Sequence, residues 1–116
     1  MPRDSFSTGA KGRAGEDLAA EFLEECGYRI VARNVRLPGG EIDAVALDGS
    51  TLVIVEVKRR DSRGFGTALS AVGARKRATL RRIAADYAQI VAPTAKIRFD
   101  VVAMDGNRLR LHRNAF

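Results

Sequence analysis

The chain has 116 residues, 46% of them apolar and 29% charged, with 20 basic against 14 acidic side chains for a net charge of +6; this is the length of one domain able to bury a core of its own. It has no uncharged apolar run of about 18 residues and no basic start leading into an apolar stretch, so neither a membrane span nor a secretory signal is expected, and a cytoplasmic location follows. Cys26, the single cysteine, cannot close an internal disulfide, and with His112 the single histidine there is no Cys/His set for zinc, so any metal must be held mainly by oxygen.

Residues 1–12 mix Pro2, Ser5, Ser7, Gly9 and Gly12 without periodicity and are expected to form a flexible N-terminus ahead of a single domain spanning 13–116. From about Arg13 to Cys26, Leu18, Ala19, Phe22, Leu23 and Cys26 recur at helical spacing, and Gly27 supplies a stop. Tyr28–Leu37 reads as a strand closed by Pro38-Gly39-Gly40. Glu41–Leu47 and Thr51–Lys58 form a hairpin about Asp48-Gly49-Ser50, and the second run, apolar on both faces until its end, has the pattern of a central covered strand. Gly64-Phe65-Gly66 falls in a loop, a second helix is predicted from about Ser70 to Val91, and Ile97–Met104, a turn at Asp105-Gly106-Asn107 and Arg108–His112 complete the chain. The order αβββαββ predicts an α/β domain with a mixed sheet flanked by helices.

Charged residues interrupt this pattern where a core prefers apolar ones. Strand side chains alternate faces, so Glu56 and Lys58 share a face, as do Glu41 and Asp43. With an even hairpin loop, Asp43 falls opposite Ile54 or Glu56, and either register brings Asp43, Glu56 and Lys58 together. Two neighbouring carboxylates repel and are costly to desolvate unless a cation lies between them, and oxygen ligation completed by water and phosphate suits magnesium. An edge-strand Glu–Lys ion pair is the competing reading. Glu16 is the one acid of the first helix aimed towards the sheet. Lys76 interrupts the apolar stripe Val72, Leu80, Ile83, Tyr87, Val91 of the second helix, either snorkelling or reaching a phosphate.

The positive charge is concentrated. Between Arg59 and Arg82 lie Arg59, Arg60, Arg63, Arg75, Lys76, Arg77, Arg81 and Arg82 against the lone acid Asp61, while the rest of the chain is close to neutral. Such an excess favours a polyanion, because neutralising phosphates releases counterions; a solvated arginine-rich helix is the alternative.

Gly15-Glu16, Gly39-Gly40-Glu41-Ile42-Asp43, Val55-Glu56-Val57-Lys58, Arg98-Phe99-Asp100-Val101-Val102 and the closing Asn114-Ala115-Phe116, spread over nearly the whole chain, resemble the YraN family of small bacterial proteins. That family is similar to the PD-(D/E)xK nucleases, and among them to archaeal Holliday junction resolvases. The resemblance implies a restriction-endonuclease-like core in which Asp43 is the first motif acid, with Ile42 where the motif has proline, Glu56 and Lys58 form the D/E-x-K, and Glu16 is the additional helix acid. It further implies a magnesium ion, replaceable by manganese, held by Asp43, Glu56 and the Val57 carbonyl.

The expected activity is metal-dependent phosphodiester hydrolysis of DNA, with branched structures favoured and Arg59, Arg60, Arg75, Lys76, Arg77, Arg81 and Arg82 on backbone phosphates. A non-catalytic nucleic-acid-binding module or partner adaptor on the same fold is the second reading, and an RNA-associated basic protein, short of aromatic residues for base stacking, the third. Resolving a junction would require a homodimer, formed along an edge strand or helix. Asp100, on the strand face of Arg98, is expected to be structural, Cys26 to be core and His112 to be surface.

Overall fold

The computed structural model describes residues 8–60 and 73–116, and the side chains among these except residues 8–13 and Arg60. Its elements are α1 (Thr8–Glu25), β1 (Arg29–Leu37), β2 (Gly40–Asp48), β3 (Thr51–Arg60), α2 (Ala74–Val91), β4 (Ile97–Asp105) and β5 (Arg108–His112), in the order read from the sequence. α1 begins at Thr8, ahead of the expected Arg13. Its end is set by Gly27, whose left-handed φ of 95° lets Gly27 N donate to Glu24 O and Tyr28 N donate to Leu23 O, each at 3.0 Å, which satisfies the last carbonyls of the helix. The expected loop at Gly64-Phe65-Gly66 and residues 70–72 of the second helix lie outside the described residues.

The five strands form one sheet in the order β1-β2-β3-β4-β5. The three antiparallel pairs are β1–β2, β2–β3 and β4–β5, whereas β3 and β4 run parallel, with α2 lying on the crossover between them as parallel pairing requires. β3 is central, as its two apolar faces predict. The β2–β3 register pairs Ala44 with Val55 and Asp48 with Thr51, so the loop is the two-residue Gly49-Ser50, with Gly49 at φ 62°.

The sheet is covered on both faces. On one, Ala19 and Leu23 of α1 pack with Tyr28, Ala44, Ala46, Val53, Val55, Val102 and Met104. On the other, Leu80, Ile83, Ala84 and Ala88 of α2 pack with Ile42, Val45, Leu52 and Ile54. Each fully buried Leu or Ile contributes about 1.5–3 kcal/mol by leaving water. Val91, expected in the apolar stripe of α2, is exposed instead, because the sheet-facing side of the last turns is made by the small residues Ala84 and Ala88.

Asp100, wholly buried, is fully satisfied: Tyr28 OH donates to Oδ2 at 2.5 Å, Arg98 Nε to Oδ1 at 2.9 Å and Asn114 N to Oδ1 at 2.9 Å. Arg98 also donates to Tyr28 OH at 2.6 Å and pairs with Asp48 at 2.9 Å. This network ties β4 to the start of β1, the end of β2 and the segment after β5, and it is structural, as expected. Cys26 and His112 are both half-buried, the first just after α1, where its N–H donates to Phe22 O at 3.0 Å, and the second with Val101 across the β4–β5 pair.

One irregularity shapes the site. Along β1, Ala32 packs on the α2 side and Arg33 reaches Asp17 of α1 at 2.6 Å, yet Val35 returns to the α2 side. Along β2, Ile42 is on the α2 side and Ala44 on the α1 side. Regular alternation would give 33 and 35 one face and 42 and 44 one face. Both strands therefore carry one additional residue between these pairs, Asn34 in β1 and Asp43 in β2, while the register Arg33↔Ala44 and Val35↔Ile42 is kept. Asn34 takes a left-handed φ of 53°, which costs about 1–2 kcal/mol for a residue with a Cβ.

Candidate active site

The β2–β3 ladder ends at Ala44↔Val55, and the strands separate beyond it. Val57 N, which a longer ladder would bond to a β2 carbonyl, instead donates to Asp43 Oδ2 at 2.8 Å. A strand residue directs its N–H and C=O to the same side, so the Val57 carbonyl faces the same gap. Asp43 is not on the regular face expected for it; placed at the break in alternation, it is held at the parting of the two strands.

Glu56, 4% exposed, is the other acid here, and its side chain leaves the sheet towards α2. Its Oε1 lies 3.5 Å from Lys76 Nζ and 3.8 Å from Lys58 Nζ, while Oε2 is buried and accepts no hydrogen bond. Burial, then the neighbouring Asp43 charge, push Glu56 up to about 7 against the pull of Lys76 and Lys58. Burial also raises Asp43, opposed by the Val57 N–H and the contact with Glu56. Two carboxylates in contact, one buried with an idle oxygen and the other half-buried beside it, form an arrangement that a cation stabilises.

On the α1 side, Glu16 and Asp43 line a pocket of about 170 Å³ together with Gly15, Val57, Arg59 and Met104. A Cβ at Gly15 would meet the Arg59 guanidinium, which would have to move to accommodate it. The structure thus brings Asp43 and Glu56 into contact, sets Lys58 and Lys76 on Glu56, and presents Glu16 to Asp43 from the opposite helix. Among the described residues, no three Asp, Glu, His or Cys side chains surround a cation by themselves. The Glu56 Oε2 acceptor, the Asp43 carboxylate and the Val57 carbonyl fit magnesium, which keeps several waters and takes few protein oxygens.

The basic residues divide. Arg59 is at the mouth of the Glu16 pocket. Arg75 and Lys76 line a second pocket of about 420 Å³ with Gly39, Gly40, Glu41 and Thr79. Arg77 and Arg81 stand over the Phe116 ring, 5.5 and 5.6 Å from its centre, and Phe116 stacks on Phe99 at 5.1 Å. Arg82 packs across the Pro38-Gly39 turn. They flank two sides of α2, Arg77 and Arg81 towards Phe116 and Arg75 and Arg82 towards the β1–β2 turn. The Arg60 side chain and Arg63 lie outside the described residues.

Sequence reasoning missed two placements. Lys76, read as a phosphate-binding or snorkelling residue, is within reach of Glu56; its position in the apolar stripe was the signal, because that stripe faces the sheet. Asn34 drew no attention in a strand-like run. The one available hint was that Asn tolerates a left-handed backbone better than other side chains.

A mixed sheet layered between two helices, with an acid pair and a lysine where its central strand parts from its neighbour, is a restriction-endonuclease-like core. The chain belongs to the UPF0102 family, the YraN family that its motifs resemble: the profile of the "Uncharacterised protein family UPF0102" matches residues 15–104. The UPF0102 protein of Symbiobacterium thermophilum is 51% identical over 111 residues, covering 90% of this chain and 94% of that protein. That of Shewanella loihica is 44% identical over 106 residues, covering 91% and 93%, and that of Burkholderia thailandensis 46% over 121 residues, covering 99% and 84%. Among the described residues no helix is long and apolar enough to cross a membrane.

Proposed function

We propose that the protein is a metal-dependent endonuclease that hydrolyses phosphodiester bonds in DNA, with branched or junction DNA as its preferred substrate. The observation that carries this reading is the Asp43–Glu56 pair, in which Glu56 is buried with an unpartnered Oε2, set between two lysines at the point where β2 and β3 separate. Magnesium bound there would supply charge neutralisation at the scissile phosphate and lower the pKa of an attacking water. Asp43, held by the Val57 N–H, and Glu56 would bind and orient it. Lys58 Nζ, at the half-exposed end of the motif, would hydrogen-bond the attacking water and stabilise charge developing on the phosphate. Lys76, on the same carboxylate oxygen from α2, would be available to the phosphate once that oxygen is engaged. Glu16 would order water facing Asp43. Arg59 and Arg75, one at each pocket, together with Arg77, Arg81 and Arg82, would contact backbone phosphates, so selectivity should follow substrate shape.

The test is cleavage of labelled duplex, single-stranded, flap, four-way-junction and RNA substrates with manganese or magnesium, comparing wild type with Glu56→Ala and Asp43→Ala at equal folded concentration. Metal-dependent cutting by the wild type, lost by at least about 100-fold in either variant with DNA binding retained, is expected. Persistent cutting by Glu56→Ala would remove the assignment. One observation favours the second reading, a non-catalytic nucleic-acid-binding module: Lys58 and Lys76 already neutralise Glu56 Oε1 without a metal. Shape-selective binding with no cutting and no response to metal would establish it.

A further inference from the structure

We propose that Asn34 is a positioning residue of this site, whose amide fixes the Glu16 carboxylate where it faces Asp43; the proposal rests on the nuclease reading above. Three features converge on it. Asn34 occupies the additional position of β1, facing Asp43 at the additional position of β2, since the pairs Arg33↔Ala44 and Val35↔Ile42 bracket them. Its φ of 53° is left-handed inside a strand, a conformation retained only where the surroundings impose it. With the NH2 group turned to α1, the amide nitrogen lies 3.2 Å from Glu16 Oε1 and 3.0 Å from Glu16 Oε2; the opposite orientation would set a carbonyl oxygen against two carboxylate oxygens.

The backbone conformation explains how this contact is made. In a regular strand Arg33 and Asn34 would point to opposite faces. The left-handed turn at Asn34 allows consecutive residues of β1 to grip consecutive residues of α1, Arg33 on Asp17 at 2.6 Å and Asn34 on Glu16. Arg33 anchors the helix, and Asn34 directs the acid. Glu16 sits on a helix across the pocket from Asp43 and is not gathered with Asp43 and Glu56 into one ligand cluster. Its part in a metal and water network therefore depends on its orientation, as such supporting contacts generally govern metal sites.

The experiment compares wild type, Asn34→Gly, Glu16→Ala and the double variant by manganese-induced thermal stabilisation and, in parallel, by manganese-dependent cleavage of a labelled four-way junction. Asn34→Gly keeps the left-handed backbone and removes only the amide. Its metal-free melting temperature should be no lower than that of the wild type, since glycine relieves the left-handed strain, while its half-saturating manganese concentration rises about 10-fold or more in both measurements. The double variant should be no worse than Glu16→Ala alone, because Asn34 acts through Glu16. Asn34→Asp, which also tolerates the left-handed backbone but offers no donors, should show the same loss and serves if the glycine variant does not fold. An unchanged manganese response in Asn34→Gly, or effects that add to those of Glu16→Ala, would overturn the role of Asn34 and leave the nuclease reading intact. A wild type that neither cuts nor is stabilised by manganese would overturn both.

Discussion

Glu56 carries a strong electrostatic tension, and its consequences can be measured without substrate. Its ordinary value of 4.5 is raised to about 7 in the fold, so the folded state prefers the protonated acid. The stabilising effect of that proton is complete below pH 4.5 and is lost as the pH rises through 7, leaving the metal-free protein carrying a penalty of up to about 3 kcal/mol at pH 8. Glu56→Gln should accordingly raise stability at pH 8, with the difference from wild type shrinking towards pH 4.5, as read by urea unfolding at each pH. Magnesium should act in the opposite sense. Competing with that proton, it should stabilise the wild type more at pH 8 than at pH 5.5 and should hardly affect Glu56→Gln. The acids themselves were legible in the sequence because ionisable groups in an apolar strand are conspicuous. The grip of Lys76 and Asn34 on them was not, since both depend on which helix crosses which strand and on one backbone torsion that no hydrophobic pattern encodes.

Among the elements, the β1–β2 turn and α2 depend on each other. Pro38-Gly39 closes the hairpin with Gly39 at φ 93°, and a Cβ there would overlap the Arg82 guanidinium, while Gly40 abuts Ile83 and Thr79. Gly39→Ala should cost about 1–2 kcal/mol in unfolding free energy, from backbone strain and displacement of Arg82. It should also distort the pocket that Arg75 and Lys76 share with this turn. The Asp100 network makes a sharper demand. Asp100→Ala leaves Arg98, Tyr28 OH and Asn114 N without their shared acceptor, and a loss of about 3–5 kcal/mol is expected on thermal or urea unfolding. The strands and their hairpin register were readable because the turn residues agree with the alternation along β3 and along β2 from Ala44 to Leu47. The early start of α1 was not, since Gly9 and Gly12 argue against helix locally, and the division of the α2 arginines was not, since Phe116 is far from them in the chain.

At the scale of the whole molecule, Arg59 borders the Glu16 pocket and Arg75 and Lys76 the second pocket, an arrangement that the proposed DNA substrate would use if laid over the end of the sheet where β2 and β3 part. If about four guanidiniums meet phosphates, affinity for DNA should fall about 100-fold between 50 and 200 mM salt, a slope that filter binding or fluorescence anisotropy would read. Phe116→Ala, which removes the ring beneath Arg77 and Arg81, should weaken binding across all DNA structures alike if those two are among the four.

The paired irregularity at Asn34 and Asp43 has a further consequence. Excising both residues would restore alternation along β2 and along β1 from Ala32 onward, leaving the bulge between Ile30 and Ala32 as it is, with the flanking side chains on their present faces and the remaining pairs in register. The sheet is complete without them. The site is thus an inserted rung in a ladder that could stand alone, and a chain shortened by those two residues should fold as an ordinary hairpin on the same core, stable and inert.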